Sequence, residues 1–453
     1  MNKIGKLKTY TSKEIENSYV SIDFSGLDRE LFNPDKCYDL LAKTGVKHAR
    51  CQTGWARCER ERGIYDFAWL DSIVDNLLNR GILPWFNVGY GNTIYMADAP
   101  NPTAVGCVPL YYGDETLTAW KNFICALTEH YKDRVTHYEI WNEADLKHFW
   151  YPEAVNGAEY AKLVNITGQI IREIQPEAKI GMNVSAPYNK EFIDALISKV
   201  KKENIDFFSY HTYSTVPEFR YARQVDWLRR SLDENDLSHV ELWQGEGGYP
   251  SWAYEGHWLV KEGCDDERSQ AVYQLRRYFL DVYSGAKLSS FFQMVDMWEK
   301  PYAKAKEVIE KPAAHGILNG ISYTPKKSYE TMMYLTAIFS GDIKPADDYI
   351  CLDIDSPSPI DLLACQTMTF VKSGTPVYAY YLPAQLGKAM DIPYNASLRI
   401  YKPLENPVLI DLYTGEIFEL SEGGYGAGTQ TFTNLPLKDY PLILTEKNAF
   451  EIE

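Results

Sequence analysis

Two glutamates in this chain close apolar runs, each among aromatic and small residues. Glu143 ends "YEIWNE" within "YEIWNEADLKHFW" (138–150), directly after Trp141 and Asn142. Glu246 ends "VELWQGE" (240–246) and is followed by Gly247 and Gly248. A carboxylate at the end of an apolar run either meets water or is held for chemistry. Two carboxyls that face each other can cleave a glycosidic bond, one protonating the leaving oxygen while the other attacks or activates water. Either glutamate alone says little. The pair, at opposed positions with polar neighbours on other strand ends, says considerably more.

The elements that must position them repeat along the chain. From residue 19 to 340, short apolar runs alternate with amphipathic stretches of helical period. The runs include "YVSIDFS", "VKHARCQ", "LPWFNVGY", "THYEIWNE", "KIGMNVSAP", "DFFSYHTY", "VELWQGEGG" and "LSSFFQMVD". Stretches such as "WLDSIVDNLLNRG" and "AEYAKLVNITGQIIREIQ" lie between them, and "SYETMMYLTAIFSG" closes the last unit. This rhythm predicts an α/β fold, a (β/α)8 barrel over 19–340. An open doubly wound sheet would want a phosphate loop after its first strand, and "FSGLDREL" is not one. After Gly341 the pattern turns to short strands and turns, which predicts a small antiparallel β-sandwich over 341–453. Residues 1–18 form an arm that could add a strand to it. The glycine-rich "GGYGAGT" (423–429) precedes no helix and reads as a loop.

Barrel chemistry sits at the C-terminal ends of the strands. Those ends carry Arg50 and Gln52, Asn87, Asn142 and Glu143, Asn183, His211 and Tyr213, Glu246, and Asp296 to Glu299. Glu241 opens its strand and should face the barrel's other mouth. Glu139 lies inside the fourth strand and reads as structural, and Asp145 and Asp296 as loop-stabilising. Trp55, Trp150, Trp252 and Trp258 fit packing and sugar platforms equally well.

Composition narrows the partners. Acidic residues outnumber basic ones by 62 to 46, for a net charge of −16, which repels polyanions and argues against nucleic acid. The eight cysteines are scattered with no paired spacing, so neither a zinc site nor a disulfide framework is indicated. No metal and no organic cofactor is expected. The start has no apolar core of signal-peptide length and no segment approaches a membrane span, so the expected location is the cytoplasm. A secreted chain trimmed of its signal would read the same. Oligomeric state stays open, a homo-oligomer included.

The motifs resemble those of clan A glycoside hydrolases, and family 39 most closely. "YEIWNEADLKHFW" is similar to that family's "WNEPNL..FW", "IDFFSYHTYS" to its "DFISTHAYP", and "AAHGILNGISYTPKKSYETM" to its "HGGFGLLN…GIPKPSY". The resemblance runs from about residue 45 to 340, with the C-terminal part only generically similar to accessory domains. It implies Glu143 as acid/base, Glu246 as nucleophile, and Asn142 as the group that holds the sugar 2-hydroxyl. It also implies that Tyr213 orients the nucleophile, that His211 lines the sugar site, and that Arg50 keeps Glu246 ionised. Glu299, in "VDMWEK", falls at the family's sugar-binding glutamate. Three positions depart from the pattern. Gln52 replaces a sugar-contacting His, Phe292 stands for the eighth-strand Trp with Trp298 displaced further along, and "WNEPN" becomes "WNEAD". The implied activity is a retaining double displacement on a short β-linked glycoside, xyloside first. A glucoside, galactoside or arabinoside follows, and an α-L-iduronide is less favoured for want of basic residues. An endo-acting glycanase and a catalytically silent carbohydrate-binding barrel are the alternatives. Retention requires carboxyls about 5–5.5 Å apart, with Glu143 raised in pKa and Glu246 kept low. Strict alternation would send Asn142 and Glu143 to opposite faces, so the strand must end or bulge there.

Overall fold

The computed structural model describes residues 1–260, 265–300, 307–356, 363–387 and 392–453; the side chains of 299, 300, 307 and 308 also lie outside the description. Eight parallel strands close into a barrel. They are β1 (Val20–Asp23), β2 (His48–Gln52), β3 (Leu83–Val88), β4 (His137–Ile140), β5 (Lys179–Val184), β6 (Phe207–His211), β7 (Glu241–Gly247) and β8 (Leu288–Phe291). The ring shuts where Val20 pairs with Ser289. A packing helix follows each strand: α1 (Tyr38–Lys43), α2 (Ala68–Leu78, after the single turn Trp55–Cys58), α3 (Gly113–Tyr131), α4 (Gly157–Ile174), α5 (Lys190–Ile197), α6 (Tyr221–Glu234), α7 (Glu267–Tyr283) and α8 (Lys327–Ile338). The strands are buried on both faces, which is why they read as apolar runs rather than alternating ones. Helix starts carry local signals. Asn156 caps α4 by accepting from the Ala158 and Glu159 amides, and Asp266 caps α7 through the Ser269 amide.

The barrel interior is layered. Its lower half is an aromatic plug of Trp85, Phe207, Trp243 and Leu288. Trp243 stacks on Phe207 at 4.1 Å and meets Trp85 edge-on at 5.5 Å. Gly181 makes room for this plug, because a Cβ there would lie 2.0 Å from the Phe207 ring. Above the plug come the polar ends of the strands, and the Arg50 guanidinium lies over Trp85 at 5.6 Å.

The C-terminal region forms two antiparallel sheets of seven and four strands. The N-terminal strand Asn2–Lys6 joins the larger one by pairing with Glu416–Glu419. "GGYGAGT" is not a plain loop. Gly424–Gly426 pairs with Thr429–Thr431 as a hairpin whose turn residues Ala427 and Gly428 both have positive φ, the requirement of a tight two-residue turn. A second hairpin unforeseen in the sequence, Met297–Lys300 with Glu307–Ala313, follows β8. Trp55 and Trp150 are fully buried packing residues, whereas Trp252 and Trp258, both on the loop after β7, are 42% and 64% exposed. Among the described residues no helix is long and apolar enough to cross a membrane.

Candidate active site

β4 stops at Ile140, and the chain beyond it turns sharply. Trp141 has φ 67° and Glu143 has φ 43°, both in the left-handed region. Such conformations cost about 1–3 kcal/mol each and persist only where the surroundings impose them. Here Trp141 is tied down by its amide to Val88, by its indole N–H to Phe149, and by its carbonyl, which accepts from Asn87 at 2.5 Å. The Glu143 amide donates to Asn183 Oδ1 at 2.6 Å. The strand therefore ends rather than alternates, and Asn142 and Glu143 share one side of the barrel mouth.

Glu246 arrives by a second irregularity. Tyr210 pairs with Gln244 but His211 pairs with Glu246, so Gly245 is an extra residue in β7. No side chain fits there, since a Cβ on Gly245 would lie 2.0 Å from Ser209 Oγ and 3.1 Å from Glu139 Oε1. The Glu246 carboxylate accepts from Arg50 Nη1 at 2.8 Å and from the Tyr213 hydroxyl at 2.7 Å. His211 Nδ1 lies 2.9 Å from Glu143 Oε1 and 3.7 Å from Glu246 Oε2. One oxygen of each glutamate and the imidazole nitrogen all fall within 4.8 Å of one another. Asn142 Oδ1 accepts from Arg50 Nη2 at 2.8 Å, which leaves its amide N–H2 as the donating end.

Two residues not singled out for the site hold this group together. Glu139 is fully buried and accepts from Arg50 Nη2 and Nε at 2.6 and 3.0 Å, from Asn87 at 2.7 Å and from Asn183 at 2.9 Å. Asp23 accepts from Arg50 Nη1 at 3.0 Å. Both face the interior from within or at the end of apolar runs, and a buried carboxylate needs a cation nearby. That need was the available signal.

One guanidinium thus serves three carboxylates, and two of them, Glu139 and Glu246, shift in opposite directions. Burial would push Glu139 upward, but Arg50, with His211 and Ser209, more than offsets it, and its carboxyl lies below the ordinary value. Glu246 goes the other way. Burial raises it first, His211 and Arg50 oppose, and the charges of Glu143 and Asp23 add to the rise. The expected depressed nucleophile is therefore corrected: Glu246 lies above the ordinary carboxylate value because burial, with the charges of Glu143 and Asp23, outweighs His211 and Arg50. Burial lowers His211, yet Glu246 and Glu143 outweigh it and raise its pKa. Tyr213 stays a protonated donor, pushed far up by burial and then by Glu246.

The remaining sequence candidates lie around this core. Gln52 Oε1 accepts from Arg29 Nη2 at 2.6 Å, and its amide donates to the Tyr90 hydroxyl at 3.3 Å, so it contacts neither carboxylate. The Phe292 ring is 6.3 Å from Tyr213. Trp298 donates to Asp296 and leans on Trp252 at 5.0 Å. Glu299 lies on the hairpin strand Met297–Lys300, and its side chain falls outside the described residues. Asp145 accepts from Ser185 and Asn189 and braces the loop after β4. Glu241, at the far end of β7, accepts from the Trp243 indole.

Residues 43–231 match the model of glycosyl hydrolases family 39. That span holds Arg50, Asn142, Glu143, His211 and Tyr213, while Glu246 lies beyond it. The chain is 25% identical over 166 residues to a beta-xylosidase of Geobacillus stearothermophilus, covering 33% of this chain and 31% of that one. It thus spans about a third of the length of the curated relative it matches. Among solved structures, a family 39 glycoside hydrolase from Bacteroides cellulosilyticus WH2 superposes with a TM-score of 0.69 at 16% identity, over 97% of this chain and 82% of that one. A family 39 beta-xylosidase from Caulobacter crescentus gives a TM-score of 0.56 at 17% identity, over 98% and 97% of the two chains. At these identities the structural likeness speaks for the fold.

Proposed function

We propose that this chain, with its family 39 barrel segment, is a retaining glycoside hydrolase acting on short β-linked glycosides, β-xylosides first. The observation that carries the reading is the approach of one oxygen of Glu143 to one oxygen of Glu246 within 4.8 Å across the mouth, with His211 beside both. Retaining glycosidases keep their carboxyls about 5–5.5 Å apart, whereas inverting ones need about 6.5–9.5 Å to admit a water. Glu246, aimed by Tyr213 and Arg50, attacks the anomeric carbon. Glu143 gives its proton to the glycosidic oxygen as that bond breaks. Water then enters, Glu143 takes its proton, and the sugar leaves Glu246 with its original configuration. Asn142, with its N–H2 turned from Arg50, is placed to donate to a sugar hydroxyl. The preference for xylose draws on the beta-xylosidase relative.

Assay of the full chain on a panel of aryl pentosides and hexosides tests the activity, and proton NMR of the first-formed product tests the stereochemistry. We expect turnover with the β-anomer appearing first, and loss of turnover in Glu246→Ala. An active wild type that yields the α-anomer would sink retention; no turnover on any glycoside would leave the silent binding barrel. Cleavage within longer chains is favoured by one observation, the exposed Trp252 and Trp258 on the loop after β7, the Trp258 ring 5.2 Å from that of Tyr213. Digestion of xylo-oligosaccharides discriminates, because an exo-enzyme releases only xylose and an endo-enzyme leaves shorter oligomers.

A further inference from the structure

Asn183, fully buried at the end of β5, is hydrogen-bonded on every side by groups whose roles are chemically fixed. Its Oδ1 accepts from the Glu143 backbone N–H at 2.6 Å. Its Nδ2 lies 2.9 Å from Glu139 Oε1 and 2.7 Å from His211 Nε2. A backbone N–H can only donate, and the Glu139 carboxylate, held low by Arg50, can only accept. Turning the amide over would set N–H2 against N–H and oxygen against carboxylate, so only one orientation is tolerated. Asn183 therefore donates to His211 Nε2, and that nitrogen must offer its lone pair. The ring proton is left on Nδ1, 2.9 Å from Glu143 Oε1.

We propose that Asn183 is a positioning residue that holds His211 as the neutral, Nδ1-protonated imidazole, so that His211 donates to the acid/base Glu143 and cannot take its proton. The proposal rests on the reading of Glu143 as acid/base. With Nδ1–H bonded to Oε1, the proton of the carboxylic acid is confined to Oε2, the oxygen free to serve the leaving group. When that proton moves to the glycosidic oxygen, the Nδ1–H···Oε1 bond becomes charge-assisted and strengthens. The opposite tautomer would turn a bare Nδ1 lone pair onto Glu143. The acid would then protonate the imidazole, and the leaving oxygen would lose its donor.

The groups facing His211 explain why a lock is needed. Glu143 and Glu139 approach from β4, Asn183 from β5, Glu246 from β7, Arg50 from β2, and Tyr213 follows on its own segment. The carboxylates favour a second proton on the ring. Nε2 is the only place for it, and there the Asn183 N–H2 stands in the way. The same arrangement makes the trio of Glu143, His211 and Glu246 a proton-handling group and a poor cation cage, since the imidazole presents N–H where a metal would need a lone pair.

The test begins with the wild-type full chain labelled with 15N-histidine, the His211 signals being assigned by their loss in His211→Gln. At neutral pH we expect a pyrrole-type Nδ1 and a pyridine-type Nε2. A protonated Nε2, in either the other tautomer or an imidazolium, overturns the proposal whether or not the protein hydrolyses glycosides. Kinetics of Asn183→Ala, checked for folding by circular dichroism, give the second arm. For a phenyl glycoside, which needs its leaving group protonated, kcat/KM should fall by about tenfold or more, up to the full 10²–10⁴ that acid catalysis supplies. The basic limb of its pH profile should move to lower pH. A dinitrophenyl glycoside, whose leaving group needs no proton, should change little in its glycosylation step. Equal losses on both substrates, with the pH limb unmoved, would reduce Asn183 to a packing role.

Discussion

Arg50 directs its N–H donors at Asp23, Glu139, Glu246 and the Asn142 amide oxygen, all without solvent around the guanidinium. Burial acts on Glu246 and Glu139 alike, and Arg50 offsets it fully only at Glu139. Glu246 has a folded-state pKa above its unfolded value, so the fold favours its protonated form. Its ionisation therefore destabilises the fold as pH rises past the unfolded value. Glu246→Gln should unfold at higher temperature than wild type at neutral pH, the gap closing as the pH falls below the ordinary carboxylate range; calorimetry across pH measures it. Glu139 is depressed, so its stabilisation is present above the unfolded value and is lost as pH falls through the folded one. Glu139→Gln leaves Arg50 without its two-pronged partner, and breaking such a buried pair costs about 3–5 kcal/mol, readable by denaturant unfolding. The residue types of the site were legible in the sequence, because Glu143, Glu246, Arg50, His211 and Tyr213 end apolar runs. The work of Glu139 and Asn183 was not. Which interior groups meet depends on how strands 89 and 44 residues apart in sequence line up around the barrel.

At the scale of elements, two departures from regular strand geometry place the two glutamates. β4 ends in left-handed residues, and β7 carries an extra glycine. The sequence demanded the first, since alternation could not bring Asn142 and Glu143 to one face. It hid the second, because an inserted Gly in a run of apolar residues looks like any other strand glycine. Gly245→Ala should force Ser209 and Glu139 apart at a position with no slack. Overpacking of this kind costs about 1–3 kcal/mol, and the larger effect should be on rate, as Glu246 is displaced from Tyr213 and Arg50. A variant as active as wild type would show that the bulge does not set the position of Glu246. The barrel's eight units were readable because parallel strands covered on both faces leave long apolar signatures. The hairpin after β8 was not, as its strands are short and its register is irregular between Met297 and Glu299.

At the scale of the molecule, the sandwich is bound to the barrel through the loop that carries Tyr213. Glu218, five positions further on, pairs with Arg276 of α7 at 2.5 Å and accepts from the Tyr381 hydroxyl of the sandwich at 2.9 Å. Arg276 also donates to the Ala384 carbonyl at 2.9 Å, and Arg268, near the start of α7, binds Asp439. Phe279 of α7 packs against Phe339 and Phe370 at 4.8 and 5.8 Å. Tyr381→Phe removes one hydrogen bond to a buried charge, a loss of about 1.5–3 kcal/mol. Thermal melts should show it, and the lost activity should track the melting of the sandwich. Full activity after removal of residues 341–453 would contradict this coupling. A sequence can show that two such bodies exist, because their periodicities differ, but a joint made of single long-range contacts leaves no periodic trace. The joint also ties the histories of the two parts together. An insertion or deletion between Tyr213 and Tyr221 would have to be answered by a matching change around 381–384, so lineages that reshape the rim of the barrel should reshape this edge of the sandwich with it.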